Sequence, residues 1–359
     1  MKHTLALFLF LYSLCLFGQS SRTFVPASDA HLSYVGRFSF ADPSAVRFTY
    51  PAAQIYARFT GTSVAMKVKP GCGYFMIELD DRAPYKVHAD EGSDVVDIAG
   101  GLDGGAHTLH ITYANEGLVM KPIFYGLLLD ADGAMCDAPQ LPERKMEFIG
   151  NSITCGLGNE GSPSDKRALY SKQNTYYTYE AFAARALNAQ YQVVARSGIG
   201  LYRNCNGKRT GDRGTMRDLF PHTLFGTSGE QWDFSRYQPD VVCVNLGTND
   251  TTNPGYDAAL LTAEFKKFVV TLRGHYPHAK IVLLSGCMLK GQRLADVKGA
   301  MDAAAADAHS RGDSAVYRFD FTPDDGSLGY GIYKHPSVAK HKSMAEELIP
   351  FIKEITGWE

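Results

Sequence analysis

Lys145–Gly158 reads KMEFIGNSITCGLG, a short apolar run of strand character that stops at a glycine and delivers a serine at once. Met146, Phe148 and Ile149 have the composition of a buried strand, and Gly150 permits the tight backbone path that exposes a side chain at the strand's C-terminal end. Open α/β sheets bind their ligands at such ends, which makes Ser152 the residue around which the chain is read. The same Gly, Asn, Ser and Thr residues would also suit an ordinary polar turn.

Two further stretches bear on that choice. Pro239–Asp250, PDVVCVNLGTND, reads as a second buried strand ending in a Gly-Thr-Asn-Asp turn. His335-Pro336-Ser337 stands just before an amphipathic helix predicted over Val338–Ile355. A serine, an amide and a histidine at element edges supply a nucleophile, an oxyanion donor and a base. In this order the motifs resemble those of SGNH (GDSL-type) hydrolases. Upstream, GRFSF (Gly36–Phe40), RFTYP (Arg47–Pro51) and ARFTGTSVAMKV (Ala57–Val68), followed by EFIGNSITCGLG, resemble carbohydrate esterase family 2, whose members act on acetylxylan and 6-O-acetyl glycans.

The pattern of elements is compatible with that resemblance. Residues 1–20 open with Lys2 and His3 and continue in an apolar run from Thr4 to Phe17, as expected of a cleaved signal peptide. Acylation of Cys15 is disfavoured by the bulky Leu14 before it, so a secreted or periplasmic protein is expected. Residues 21–140 carry short strands (Ile55–Phe59, Ser63–Val68, Tyr74–Leu79, His107–Tyr113) separated by Gly and Pro clusters, which argue for an all-β sandwich. The resemblance implies a jelly roll. A Pro-containing linker, Asp137–Arg144, leads into residues 141–359, where strands (Met146–Ile149, Gln192–Ala195, Val241–Leu246, Lys280–Leu284, Tyr317–Phe319) alternate with helices over Asn174–Leu187, Tyr256–His275, Gln292–Ser310 and Val338–Ile355. An α/β fold follows, with an SGNH-type three-layer α/β/α hydrolase domain behind an all-β domain.

A net charge of −2 without a clustered basic face gives no electrostatic case for nucleic acid, and after residue 17 no stretch is apolar for long enough to span a bilayer. The histidines and cysteines lack close ligand spacing, and no phosphate or dinucleotide glycine pattern is present, so no metal and no organic cofactor is expected. Of the seven cysteines, Cys155 and Cys205 are a candidate disulfide because both flank predicted active-site loops. Cys243 and Cys287 lie in apolar runs.

Ser152 needs a base to take its proton, and His335 is the candidate. The resemblance assigns the oxyanion donors to the Ser152 backbone N–H, to a glycine of ARSGIGLYRN (Ala195–Asn204) that aligns best with Gly200, with Gly198 in reserve, and to the Asn249 side chain. Two positions depart from the wider superfamily. Asn151 stands where GDSL enzymes have aspartate, and Ile332 replaces the aspartate three residues before the histidine, in GYGIYKHPS. A Ser-His dyad with a backbone carbonyl orienting the imidazole is therefore expected, as in members of carbohydrate esterase family 2, with Asp320, Asp324 and Asp325 as other possible orienters. Tyr202, Arg203, Trp232, Tyr330 and Tyr333 are candidate sugar contacts. The function expected is removal of acetyl groups from a plant polysaccharide or oligosaccharide. The rivals are an esterase for a non-carbohydrate ester and a catalytically inactive carbohydrate-binding protein.

Overall fold

Alternation of apolar and polar side chains between Thr23 and Met135 produces two six-stranded antiparallel sheets whose inner faces meet. One follows the order Phe38–Ser39, Val46–Phe48, Ile123–Leu129, Ser63–Val68, Val95–Gly100, with Thr23–Pro26 also on Ile123–Leu129. The other follows Ala134–Met135, Gln54–Thr60, Ala106–Tyr113, Gly73–Leu79, Tyr85–Ala89, with Ser33–Val35 on Gln54–Thr60. Phe48, Phe59, Phe75, Ile111, Phe124 and Leu127 lie in the core between them. The computed structural model describes residues 22–226, 229–253 and 255–359, so the expected leader and Cys15 lie outside the described residues.

From Arg144 onward the chain builds a parallel sheet. Its strands are β1 (Arg144–Gly150), β2 (Ala189–Ala195), β3 (Val241–Asn245), β4 (Lys280–Ser285) and β5 (Val316–Asp320), in the spatial order β2-β1-β3-β4-β5. The helices that cover it are α1 (Tyr179–Ala186), α2 (Ala258–His275), α3 (Gly291–Ser310) and α4 (Val338–Thr356), with one short helical turn at Met216–Leu219. The period of two divides the strand residues between two cores. Ile149, Val244, Ile281 and Leu283 pack on α2 and α3, whereas Phe148, Cys243, Val282 and Leu284 pack with α1 and α4. This is the expected three-layer arrangement. The order reverses between β1 and β3, so the carboxyl end of β1, where Ser152 sits, is the topological switch point.

Three predicted helices are met within two residues at each end, and the fourth is broken. Asn174–Leu187 is divided into a 3-10 turn, Thr175–Tyr177, and α1, because the Asn174 side chain caps Tyr176 N–H and Thr178 turns extended.

The two domains share buried surface. Arg37, fully enclosed, reaches from the β domain to donate to the carbonyls of Phe220 and His222 and to Glu147 on β1, at 3.2 Å for the last. The rings of Tyr50, Phe220, Trp232 and Phe234 surround its guanidinium. Glu147 and four aromatic faces replace the water it gives up. No helix among the described residues is long and apolar enough to cross a membrane.

Candidate active site

The turn after β1 is pinned by Asn151. Its Nδ2 donates to Asn245 O at the end of β3 (3.0 Å), and its Oδ1 accepts Ile153 N–H (3.0 Å). The first bond needs an amide, since a carboxylate could accept from Ile153 N–H but could not donate to the carbonyl. Gly150 leaves its Cβ position to the Thr154 side chain, and that hydroxyl meets Tyr179 OH at 3.0 Å. Ser152, 8% exposed, is held at the surface end of the turn.

His335 is delivered by a loop locked onto the serine's own loop. Ile332 N–H donates to Gly158 O (3.0 Å), Val338 N–H donates to Asn159 O (3.1 Å), and the buried Ile332 side chain lies against Gly158 and Gly161. Gly331 N–H bonds His335 O (2.8 Å), while Tyr333 and Lys334 take left-handed φ of 55° and 59° at the tip. That reversal turns the Ile332 carbonyl back on the imidazole. His335 Nδ1 lies 3.1 Å from Ile332 O and Nε2 lies 2.8 Å from Ser152 Oγ. A carbonyl only accepts, so the proton belongs on Nδ1 and the Nε2 lone pair faces the serine hydroxyl. Burial pushes the His335 pKa below the ordinary imidazole value, against the opposing effect of the Ile332 carbonyl. The neighbouring His341, enclosed and accepting Tyr179 N–H at 3.2 Å, is pushed down to about 3 by burial and by the proximity of His335, so it adds no competing charge at neutral pH.

None of Asp320, Asp324 and Asp325 bonds the imidazole, whose partners are Ile332 O and Ser152 Oγ. Asp320 pairs with Lys298 (2.8 Å) and Arg318 (3.2 Å), Asp324 accepts Gly326 N–H, and Asp325 accepts Ser327 N–H.

Two further loops carry the expected oxyanion residues. Asn249 donates through Nδ2 to Ile199 O (2.7 Å), which fixes its amide and leaves the second N–H hydrogen. Gly200 N–H lies 3.2 Å from Asn204 Oδ1, so the expected oxyanion donor already has an internal acceptor. Asp250, which sequence reading passed over, ties these loops together. Its enclosed carboxylate accepts the N–H groups of Leu201 and Tyr202 (each 2.8 Å), Arg203 (3.3 Å) and Gly247 (3.2 Å). Burial raises its pKa to about 6 even against those donors. The adjacent acid in GTND was the available signal.

A serine and a neutral imidazole in contact at a strand end, with amides around them, make an acyl-transfer site, and comparison with known proteins agrees. Residues 34–139 match the carbohydrate esterase 2 N-terminal family and residues 148–342 the GDSL-like lipase/acylhydrolase family. A family two carbohydrate esterase from Clostridium thermocellum, solved in complex with cellohexaose, is 36% identical, with 91% of this chain and 100% of that chain covered at a TM-score of 0.82. This chain belongs to carbohydrate esterase family two. A second solved member, from Cellvibrio japonicus, shares 28% identity with a TM-score of 0.84 over 94% of this chain and 99% of that one. Among curated proteins, the cellulase/esterase CelE of Acetivibrio thermocellus is 36% identical over 90% of this chain, which spans 39% of CelE's length. An acetylxylan esterase / glucomannan deacetylase of Cellvibrio japonicus is 29% identical over 94% of this chain and 93% of its own. This family two member carries the nucleophile and base of a serine-type ester hydrolase.

Not every expected contact faces its cleft. Tyr202 and Arg203 are each 2% exposed. The Tyr202 hydroxyl accepts Asp257 N–H (2.8 Å), and the Arg203 guanidinium is spent on the carbonyls of Asp250, Gly207 and Asn253. Trp232, 4% exposed, packs with Val35 and Tyr237 between the domains and under Arg37. These three are structural residues, and their assignment as sugar contacts is corrected. Tyr330 is half-buried and bridges Pro336, whereas Tyr333 is 50% exposed two residues before the base, with Lys166 Nζ 5.7 Å from its ring centre. The disulfide is corrected too. Cys155 is a free thiol enclosed beneath the serine turn and Cys205 a free thiol on the exposed outer end of its loop.

Proposed function

We propose that the protein is a carbohydrate O-acetylesterase acting on plant polysaccharides, either at 6-O-acetyl hexose units or on acetylxylan. The contact of 2.8 Å between Ser152 Oγ and His335 Nε2 carries this reading. The hydroxyl proton passes to Nε2 as Oγ attacks the acetyl carbonyl carbon, and the Ser152 N–H and the free hydrogen of the Asn249 amide face the developing oxyanion, with Gly200 on the adjoining loop. Collapse breaks the bond to the sugar oxygen, which takes the proton from His335. Water then attacks the acyl-enzyme, with His335 again as base, to release acetate and restore Ser152. The imidazolium formed at each step is stabilised by the Ile332 carbonyl, which does part of the work of a triad aspartate. Tyr333 offers an exposed aromatic face for a sugar ring. The leader-like residues 1–20 support action outside the cytoplasm, where such polymers occur.

The test is acetate release from acetylated glucomannan and acetylated xylan by the protein and by Ser152→Ala, with the variant's fold checked by circular dichroism. Release by the parent alone is expected, and the faster polymer identifies the preferred ester. Release by a folded Ser152→Ala would refute the mechanism. A silent parent that still binds polysaccharide would make it a binding protein.

A further inference from the structure

The geometry points to Glu116, a residue of the β domain, as a positioning residue for the oxyanion loop of the hydrolase domain. Glu116 lies just beyond strand Ala106–Tyr113, in a turn pressed against the neighbouring hydrolase segment. Tyr113 O and Ala114 O accept the hydroxyl (2.8 Å) and N–H (3.1 Å) of Thr175, and Asn115 Nδ2 donates to Tyr170 O (2.8 Å). Gly117 follows, and its N–H bonds Thr49 O at 2.8 Å. A Cβ at Gly117 would come within 2.7 Å of the Thr49 backbone, so the turn can sit this close only with glycine there.

From this base the carboxylate reaches both catalytic loops. Oε2 accepts Ser197 N–H at 2.6 Å, and Oε1 accepts the Ser197 hydroxyl. Oε1 also accepts Gln173 Nε2 at 3.2 Å, and the same Nε2 donates to Cys155 O (3.0 Å) in the turn after Ser152. Ser197 roots the segment that carries Ile199 and Gly200, and Ile199 O is the acceptor that fixes the Asn249 amide. One carboxylate thus links the nucleophile turn to the segment that fixes the Asn249 amide. Among the described residues it has no Lys or Arg partner within ion-pair distance. Its oxygens accept the Ser197 N–H and hydroxyl and the Gln173 amide, and hydrogen bonds to an ionised acceptor are the stronger kind.

This inference rests on the oxyanion role proposed for Asn249. Its consequence is that the β domain supports transition-state stabilisation as well as covering surface. The experiment measures kcat and KM for 4-nitrophenyl acetate, together with the thermal midpoint, for the full chain and for Glu116→Ala, Glu116→Gln, Ser197→Ala and Asn115→Ala. Displacement of a catalytic group by about 1 Å costs about 10²-fold. Glu116→Ala is therefore expected to lose about 10- to 100-fold in kcat with KM within about twofold. Glu116→Gln should recover part of the loss, since its amide oxygen can still accept Ser197 N–H, and Ser197→Ala should fall between them. Asn115→Ala breaks a neighbouring interdomain bond without touching the oxyanion loop and should keep the parental kcat. A Glu116→Ala enzyme with parental kcat, or an Asn115→Ala enzyme equally slowed, overturns the inference. If Glu116→Ala does not fold, parental kcat in both Glu116→Gln and Ser197→Ala overturns it. A parent without hydrolysis instead refutes the esterase reading.

Discussion

Ile332→Asp would restore, on paper, the triad aspartate that this chain lacks, and the structure predicts damage instead. The Ile332 side chain is enclosed and points at Gly158 and Gly161, and His335 Nδ1 is already held by the backbone carbonyl of the same residue at 3.1 Å. A carboxyl built in that direction meets glycine backbone, not imidazole. Removing the buried isoleucine atoms costs about 2–5 kcal/mol. Holding the new carboxyl neutral costs a further ~1.36 kcal/mol for each pH unit above the ordinary aspartate value. Its folded-state pKa is raised, so the penalty is absent in acid below the unfolded value and grows as pH rises until the folded value is reached. Urea denaturation at pH 5 and pH 7 should show a destabilisation of at least about 6 kcal/mol at pH 7, and smaller at pH 5 by about 2.7 kcal/mol. Hydrolysis of 4-nitrophenyl acetate at pH 7 should fall by at least about tenfold as the loop shifts the base. A variant as stable as the parent, a loss independent of pH, or a faster enzyme would refute this account of the loop.

The depressed pKa of His335 places the acid limb of the kcat/KM profile below the ordinary imidazole value near 6.5, because the base must be neutral to act; a limb at or above that value would contradict the burial argument. Asp320→Ala and Asp325→Ala should keep kcat within about threefold of the parent, and loss of turnover in either folded variant would make that residue the orienter of His335. Arg37→Met leaves the enclosed Glu147 without its partner and should cost about 3–5 kcal/mol in chemical denaturation; an unchanged midpoint would show the pair to be dispensable. Arg203→Lys loses bonds to three carbonyls, so it should lower the thermal midpoint with KM for acetylated glucomannan unchanged, whereas a raised KM at parental stability would return Arg203 to the substrate.

What could be read from the chain followed the range of its interactions. Ser63–Val68 was legible to the residue because pleat alternation is local, and the strand before Ser152 and the helix after His335 were legible because each has its own sequence pattern. Tyr202 and Arg203 misled because proximity to a catalytic glycine says nothing of direction, and both point inward to satisfy loop backbone. Glu116 and Arg37 left no sequence mark, since their partners lie 81 and 110 residues away and only the docked domains bring them together. The Ile332 carbonyl was equally hidden, because a backbone acceptor has no letter and its direction depends on two left-handed residues at the loop tip.

The Arg37 plug bears on how such a protein can be inherited and rebuilt. A hydrolase half expressed alone would expose Phe220, Trp232 and Phe234 and strand the Glu147 carboxylate inside β1, while the β half would carry a bare guanidinium. The family boundary between residues 139 and 148 therefore marks a change of architecture without marking a place to cut. Recombination that exchanges one half must carry the matching socket with it, and a chimera that keeps Arg37 but loses Glu147 should reach the cell's proteases before it reaches a substrate.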